Sequence, residues 1–136
     1  MKQAFIITGI FLLLGIAVHA QSEKTLVRSL PQSISINTTL KASGDIDIQE
    51  WDKDYIRLLL TVKSNTSTEL LSRLITVGRY EVSTHEEDGI YHICFPKMAK
   101  PVMVKGIVIE EVLSFQLFVP YGTTIKQENP HYASRL

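Results

Sequence analysis

Hydrophobic and polar residues alternate over much of the chain. A period of two predicts half-buried β-strands, because successive side chains of a strand point to opposite faces. The first alternating segment is SISINTTLK at 33–41, and the next two are 45–49 and 56–62. The residues expected to face the core are Ile34, Ile36, Thr38 and Leu40 in the first segment, Ile46 and Ile48 in the second, and Ile56, Leu58, Leu60 and Val62 in the third. Turns at 42–44 and 51–54 connect them.

The segment TSTELLSRLITV predicts one short helix, over about 67–76. Thr66 and Glu69 have the spacing of a capping box, in which each side chain satisfies a free backbone N–H of the first turn. The apolar residues that follow have the separations of one helical face: Leu70, Leu71, Leu74 and Ile75. That face is expected to pack on the sheet.

Alternation returns after the helix, with Tyr80 and Val82 on one face. The Asp-Gly pair in EEDG at 86–89 is a strong signal for a tight hairpin turn. The remaining predicted elements are a strand at 90–95, a loop at 98–101, two strands within 102–119 that meet near Glu110 and Glu111, and a last strand at 123–127.

These elements predict a mainly β fold with about eight strands and one short helix. The architecture is either an antiparallel sheet or sandwich, or a short β-solenoid-like domain. Pairing is expected to be mostly antiparallel, because the connections are too short for helical crossovers.

The first twenty residues have the pattern of a secretory signal peptide, with cleavage between Ala20 and Gln21. Lys2 precedes an apolar run over 4–18, which is shorter than the roughly 20 residues of a spanning helix. The protein is therefore expected to be exported, to the periplasm, the outer surface or the extracellular space, with no membrane span after cleavage.

The mature chain is predicted to contain a polar lead-in at 21–32, a single β-rich domain at 33–128 and a frayed tail at 129–136. The formal net charge of the full chain is zero, so no basic excess favours nucleic acid. Cys94 is the single cysteine and is expected to be a small buried hydrophobe.

An acidic segment surrounds Trp51 and contains Asp45, Asp47, Asp52 and Asp54. The first two face outward by the strand period, and the last two flank a turn, where Asp is favoured for local hydrogen bonds. The glycine and terminal glutamate of an EF-hand loop are missing, so calcium binding is not predicted. Trp51 is expected to anchor the hairpin.

No motif of a catalytic, nucleotide-binding or metal site occurs in the sequence. Three histidines remain after signal cleavage: His85 at a hairpin tip, His92 in a strand and His131 in the tail. A zinc site needs three or four converging ligands. We therefore predict no catalytic residue, no cofactor and no metal.

Three segments together resemble the putative adhesin family of secreted bacterial proteins: SGDIDIQEWDKDYIRLLLTV, TELLSRLITVGRYEVST and LSFQLFVPYGTTIK. The matching positions are Gly44, Trp51, Asp52, Val119, Pro120 and Gly122, and the resemblance extends from about Ile34 to Lys126. It implies a β-rich domain without catalytic residues. Members of that family usually continue beyond the V-P-x-G corner into a β-solenoid, so this chain would be a short member.

The leading functional hypothesis is an exported non-catalytic β-domain, in surface contact or cell-envelope assembly. The alternatives are a small-molecule or lipid-binding β-domain, which needs an apolar pocket between sheet and helix, and an exported hydrolase that uses Asp and Glu. The segment 102–119 is apolar and of high β-propensity. An uncovered strand edge there would bind a second copy or a partner protein.

Overall fold

The computed structural model describes residues 21–130. Within this range the chain forms ten strands and one α-helix, which confirms the mainly β fold class. The strands are β1 (Ser22–Ser29), β2 (Asn37–Lys41), β3 (Asp45–Trp51), β4 (Arg57–Ser64), β5 (Ser83–Glu87), β6 (Ile90–Cys94), β7 (Met103–Val104), β8 (Ile107–Val108), β9 (Glu111–Pro120) and β10 (Thr124–Glu128). Helix α1 (Thr68–Thr76) follows β4, and a short 3₁₀ helix (Pro96–Ala99) follows β6.

Eight of these strands form two four-stranded sheets that enclose one core. The first sheet has the order β1-β4-β9-β3, and the second has the order β10-β2-β6-β5. Buried side chains of both sheets belong to a single cluster, which includes Leu58, Leu60, Phe115 and Leu117 from the first sheet and Leu40, Tyr91 and Ile93 from the second. The sheets therefore pack face to face as a sandwich, and β7 and β8 form a separate small ribbon.

Pairing was predicted to be mostly antiparallel, and four of the seven strand pairs within residues 21–130 are antiparallel, but three are parallel. Strand β3 runs parallel to β9, and β2 runs parallel to both β6 and β10. Short connections exclude parallel pairing only between consecutive strands. Here the parallel neighbours are distant in sequence, and the chain forms strands of the other sheet between them.

The segment 21–32, predicted to be a polar lead-in before the domain, contains strand β1 of the first sheet. This strand pairs antiparallel with β4 over its whole length, with Leu26 opposite Leu60. Leu30, which follows β1, is buried in the core. Strand β1 lies at the edge of its sheet, and Ser22 is its one fully buried residue, so the strand needs few apolar residues.

The predicted free edge at 102–119 is also wrong. Strand β9 lies inside the first sheet and is hydrogen-bonded to β4 on one side and to β3 on the other. The earlier part of the segment forms the β7–β8 ribbon. The apolar character of β9 therefore reflects its central position in the sheet, and this edge no longer supports association.

The inward face predicted for β4 is confirmed. Leu58, Leu60 and Val62 are buried, whereas Leu59 on the other face is partly exposed. In β3, Ile46 packs on the core, but Ile48 is 41% exposed because this strand has one neighbour among the described residues.

The predicted helix is confirmed, with a different cap. The Ser67 side chain, not that of Thr66, accepts a hydrogen bond from the backbone N–H of Leu70. Leu71 is buried, and Leu74 packs beside it against the core. The strand predicted around Tyr80 is absent from the described structure, since the residues from 77 to 80 form turns that bring Tyr80 into the core.

The hairpin turn predicted from Asp-Gly is confirmed. Asp88 and Gly89 both have positive φ, at 54° and 75°, as the tight hairpin turn between β5 and β6 requires. The predicted signal peptide at 1–20 and the tail from 131 lie outside the described residues. Within 21–130 no helix has the length and apolar character needed to cross a membrane.

Candidate functional site

Several connections between strands meet at one end of the sandwich, which we call the loop end. These connections are 30–36, 52–56, 88–89 and 121–123. Two of them, 30–36 and 121–123, cross from the first sheet to the second. Loops at the end of a sandwich commonly carry binding residues, because the sheets hold them in place.

Hydrogen bonds fix the connection 30–36 to both sheets. The backbone N–H of Leu30 donates to the carbonyl of Ile56 at 2.8 Å, next to the first sheet. The hydroxyl of Tyr91, from the second sheet, donates to the carbonyl of Pro31 at 2.8 Å. The loop is therefore held in one position before any partner arrives.

The loop end surrounds a pocket with a volume of about 200 Å³, which we call the loop-end pocket. Ile34, Ile36 and Tyr121 lie at its rim and are 96%, 64% and 70% exposed. Single exposed apolar side chains are ordinary, but several around one concave site indicate a binding surface. The prediction that Ile34 and Ile36 face the core is therefore wrong, because the chain joins the second sheet only from residue 37 onward.

A polar atom lies among the buried residues that line this pocket. Thr38 is 2% exposed, and its Oγ1 has no hydrogen-bond partner among residues 21–130. A buried hydroxyl usually finds a partner, because leaving it unpaired costs free energy. The Thr38 hydroxyl therefore lies in the wall of the pocket without a protein partner among the described residues.

Trp51 supports the loop end, as the sequence predicted for a hairpin anchor. Its indole N–H donates to the carbonyl of Tyr55 at 2.9 Å, and the two rings contact edge to face at 5.0 Å. The guanidinium of Arg57 lies over the Trp51 ring, 5.3 Å from its centroid. These contacts hold Tyr55, which lines the pocket, and they leave Trp51 half-buried.

A second pocket, of about 390 Å³, lies at the opposite end and contains a buried ion pair. Arg79 donates to the Glu111 carboxylate through Nε at 2.9 Å and Nη2 at 2.5 Å, and through Nη1 to the carbonyls of Lys97 and Lys100. The hydroxyl of Tyr80 also donates to Glu111. Because these partners satisfy both charged groups, we assign the pair to holding the segment 97–100 against β9.

The pKa values of this network follow from burial and hydrogen bonding. Burial alone would raise the pKa of Glu111, but hydrogen bonds from Arg79 and Tyr80 outweigh it and hold that pKa below the ordinary value. Burial, together with the hydrogen bond to Glu111, raises the pKa of Tyr80 well above its ordinary value. Glu111 is therefore ionised and Tyr80 neutral at neutral pH.

The acidic residues around Trp51 do not converge in the structure. Asp45 and Asp47 are exposed on the edge strand β3, and Asp52 and Asp54 are exposed in the turn that follows. The one group of three potential ligand side chains found within residues 21–130 does not include them. Their placement agrees with outward strand positions and turn positions.

We expect calcium to leave the melting temperature of the protein unchanged. An ion that binds the folded protein would add ~2.7 kcal/mol to the free energy of unfolding when its concentration is a hundred times its dissociation constant. Thermal melting with millimolar calcium and with chelator measures this directly. A higher midpoint with calcium that disappears in Asp45→Ala would contradict the assignment.

Two histidines that the sequence places in different elements are direct neighbours in the structure. His85 of β5 lies opposite His92 of β6, with ring centroids 4.8 Å apart. Glu87 lies beside them, and ligand atoms of the three residues are all within 4.8 Å of one another. The hairpin signal at Asp88 and Gly89 could have revealed this pair, because a two-residue turn fixes which residues are opposite.

The single cysteine, Cys94, lies near this group on the same strand and is half-buried, where full burial was expected. Burial raises the pKa of its thiol, and the nearby Lys41 lowers it by less. The thiol is therefore protonated at neutral pH, which does not favour a nucleophilic role.

Comparisons with known proteins add little to this geometry. No family model and no curated protein matches the chain. Among solved structures, a protein of Clostridium sporogenes ATCC 15579 described as a "putative cell adhesion protein" is similar, with 7% sequence identity and a TM-score of 0.38. The alignment covers 78% of this chain and 46% of that one, so this chain spans less than half of its neighbour. At this TM-score the likeness supports no conclusion about function.

Proposed function

We propose that the protein is an exported, non-catalytic β-sandwich domain that contacts another protein at the cell envelope through its loop end. One observation carries this proposal. Three large apolar side chains are exposed around a pocket that is also lined by a buried hydroxyl without a partner. The predicted signal peptide and the resemblance to the adhesin family support the location and the absence of catalysis.

The size of the pocket favours a protein side chain as its occupant. Small-molecule sites usually have volumes of roughly 300–1,000 Å³, whereas the loop-end pocket has about 200 Å³. One large apolar side chain suits this space better than a lipid or a cofactor does. Protein interfaces typically place such an anchor in a central pocket and surround it with weaker contacts that exclude water.

The rim and its support suit a contact of this kind. Ile34, Ile36 and Tyr121 would cover the entering side chain, and Thr38 would accept or donate one hydrogen bond at the pocket wall. Because hydrogen bonds already fix the loop 30–36, binding would order little additional chain. A preformed site loses less free energy to ordering on association.

Selection of short random peptides on the immobilised protein tests the proposal. We expect the enriched peptides to share one large apolar residue. The double variant Ile34→Ser/Tyr121→Ser should bind a synthetic copy of such a peptide at least about 10-fold more weakly, as expected for central interface residues. Both side chains are exposed, so the free energy of unfolding should change by no more than ~0.5 kcal/mol each. Titration calorimetry measures the affinity, and chemical denaturation the stability.

The double variant Val27→Ser/Val112→Ser is the matched control, because these side chains are 51% and 66% exposed away from the loop-end pocket. It should bind the selected peptide like the wild type. Equal loss in both double variants would contradict a contact at the loop end. Binding of a fluorescent fatty acid at the pocket, together with a selection that enriches no peptide, would favour the lipid-binding alternative instead.

A further inference from the structure

We propose that His85, His92 and Glu87 form a binding site for a divalent transition metal of the zinc class, on the outer face of the second sheet. Two imidazoles and one carboxylate are brought together there by the β5–β6 hairpin. The proposal does not depend on the loop-end pocket, because none of the three residues lines it.

The hairpin places all three side chains on one face. His85 and His92 are directly opposite each other, and their ring planes differ by 16°. Glu87 follows His85 by two residues and therefore projects to the same side. Its Oε2 lies 3.9 Å from Nε2 of His85.

Small side-chain rotations would bring the ligand atoms to coordination distance. A tetrahedral zinc ion about 2.0–2.1 Å from each ligand keeps the ligand atoms about 3.3 Å apart, and the atoms here are within 4.8 Å of one another. The side chains of His85 and Glu87 are 49% and 68% exposed, so both can rotate without displacing core residues. The backbone of the hairpin need not change.

The kind of ligand atom selects the kind of metal. Imidazole nitrogen suits zinc, copper and nickel, whereas calcium and magnesium prefer sites made entirely of oxygen. Three protein ligands leave the fourth position of a tetrahedral ion to water or to a partner. The side chains of His85 and Glu87 are 49% and 68% exposed, so this position is accessible from solvent.

An unpaired nitrogen gives independent support. Nδ1 of His92 is buried and has no hydrogen-bond partner among residues 21–130. Buried ring nitrogens normally make a hydrogen bond or bind a metal. The described protein groups therefore leave a ring nitrogen of His92 unused beside two other potential ligands.

Titration of the untagged protein with zinc chloride tests the site. We expect one ion per chain, a melting temperature that rises with zinc and not with calcium, and shifts of the His85 and His92 imidazole NMR signals. His85→Ala and His92→Ala should each weaken binding by at least about 10-fold, since loss of even an outer-shell partner can cost that much. Circular dichroism shows whether each variant keeps its fold, and the exposed His85 keeps the test valid if His92→Ala unfolds.

Two control variants should bind zinc like the wild type. His131→Ala removes the third histidine of the predicted mature chain, and Asp47→Asn removes an exposed carboxylate from the opposite sheet. Loss of binding in the first control would overturn the proposal, as would undiminished binding in His85→Ala. One ion per two chains, or no rise in melting temperature with zinc, would overturn it as well.

Discussion

Replacing Glu111 with glutamine should lower the free energy of unfolding by ~3–5 kcal/mol, the usual effect of breaking a buried ion pair. The side chains of Arg79 and Glu111 are only 9% and 12% exposed. Glutamine keeps the size of the side chain but leaves the largely buried Arg79 guanidinium without its counter-charge. Urea unfolding followed by fluorescence of Trp51 measures the loss.

The difference between wild type and Glu111→Gln should depend on pH. The folded protein holds the pKa of Glu111 below its ordinary value of 4.5, so its ionisation stabilises the fold fully above that pH. The contribution is lost as the pH falls through the folded pKa, and the two proteins should then approach each other in stability.

The exposed pair between Lys97 and Glu81 supplies the matched control. Its side chains are 53% and 64% exposed, and surface pairs of this kind contribute ~0–1 kcal/mol. Glu81→Gln should therefore unfold at nearly the same urea concentration as the wild type at every pH. A loss as large as that of Glu111→Gln would mean that the burial of the first pair does not matter.

Truncation of Leu58 to alanine should cost ~2–5 kcal/mol, because it removes a core side chain and leaves a cavity. Leu58 is 1% exposed, and its strand is paired with β1 and β9. Leu59→Ala, on the outer face of the same strand, should cost much less. Urea unfolding compares the two, and a greater loss in Leu59→Ala would mean that the register of β4 is shifted by one residue.

Local sequence patterns predicted the elements that are paired on both sides and packed on the core, or that are defined by a short turn motif. Strand β4 has regular alternation because it is paired on both sides and packs one face on the core. The β5–β6 turn is encoded by two adjacent residues, Asp88 and Gly89. In contrast, the edge strand β1 needs few apolar residues, and its SEKTLVRS segment therefore resembles a loop.

The pairing of strands could not be predicted in the same way. Alternation shows which face of a strand is buried, but it carries no information about which neighbour lies beside it. The parallel pairs β3–β9 and β2–β10 join segments far apart in the chain. For this reason β9 was expected at an edge, although it lies inside its sheet.

The candidate sites were missed for related reasons. Ile34 and Ile36 continue the alternation of Thr38 and Leu40, so an exposed apolar rim has the same pattern as a core strand. Ile34 and Ile36 are exposed because they lie in the connection 30–36, which crosses from the first sheet to the second before β2 begins. For His85 and His92 the information was present, since the hairpin turn fixes the register that makes them neighbours.

The strand order also determines when the sheets can form. Among the described residues, β3 has β9 as its neighbour, and β2 lies between β6 and β10, so both early strands wait for partners from the last half of the chain. Folds dominated by such distant pairings form slowly. A chain that leaves the cytoplasm from its N-terminus would therefore stay unfolded during passage and become native only once Glu128 has emerged. Until then the apolar strands of such a chain remain open to aggregation, so a chain of this topology that is exported needs transient protection during passage.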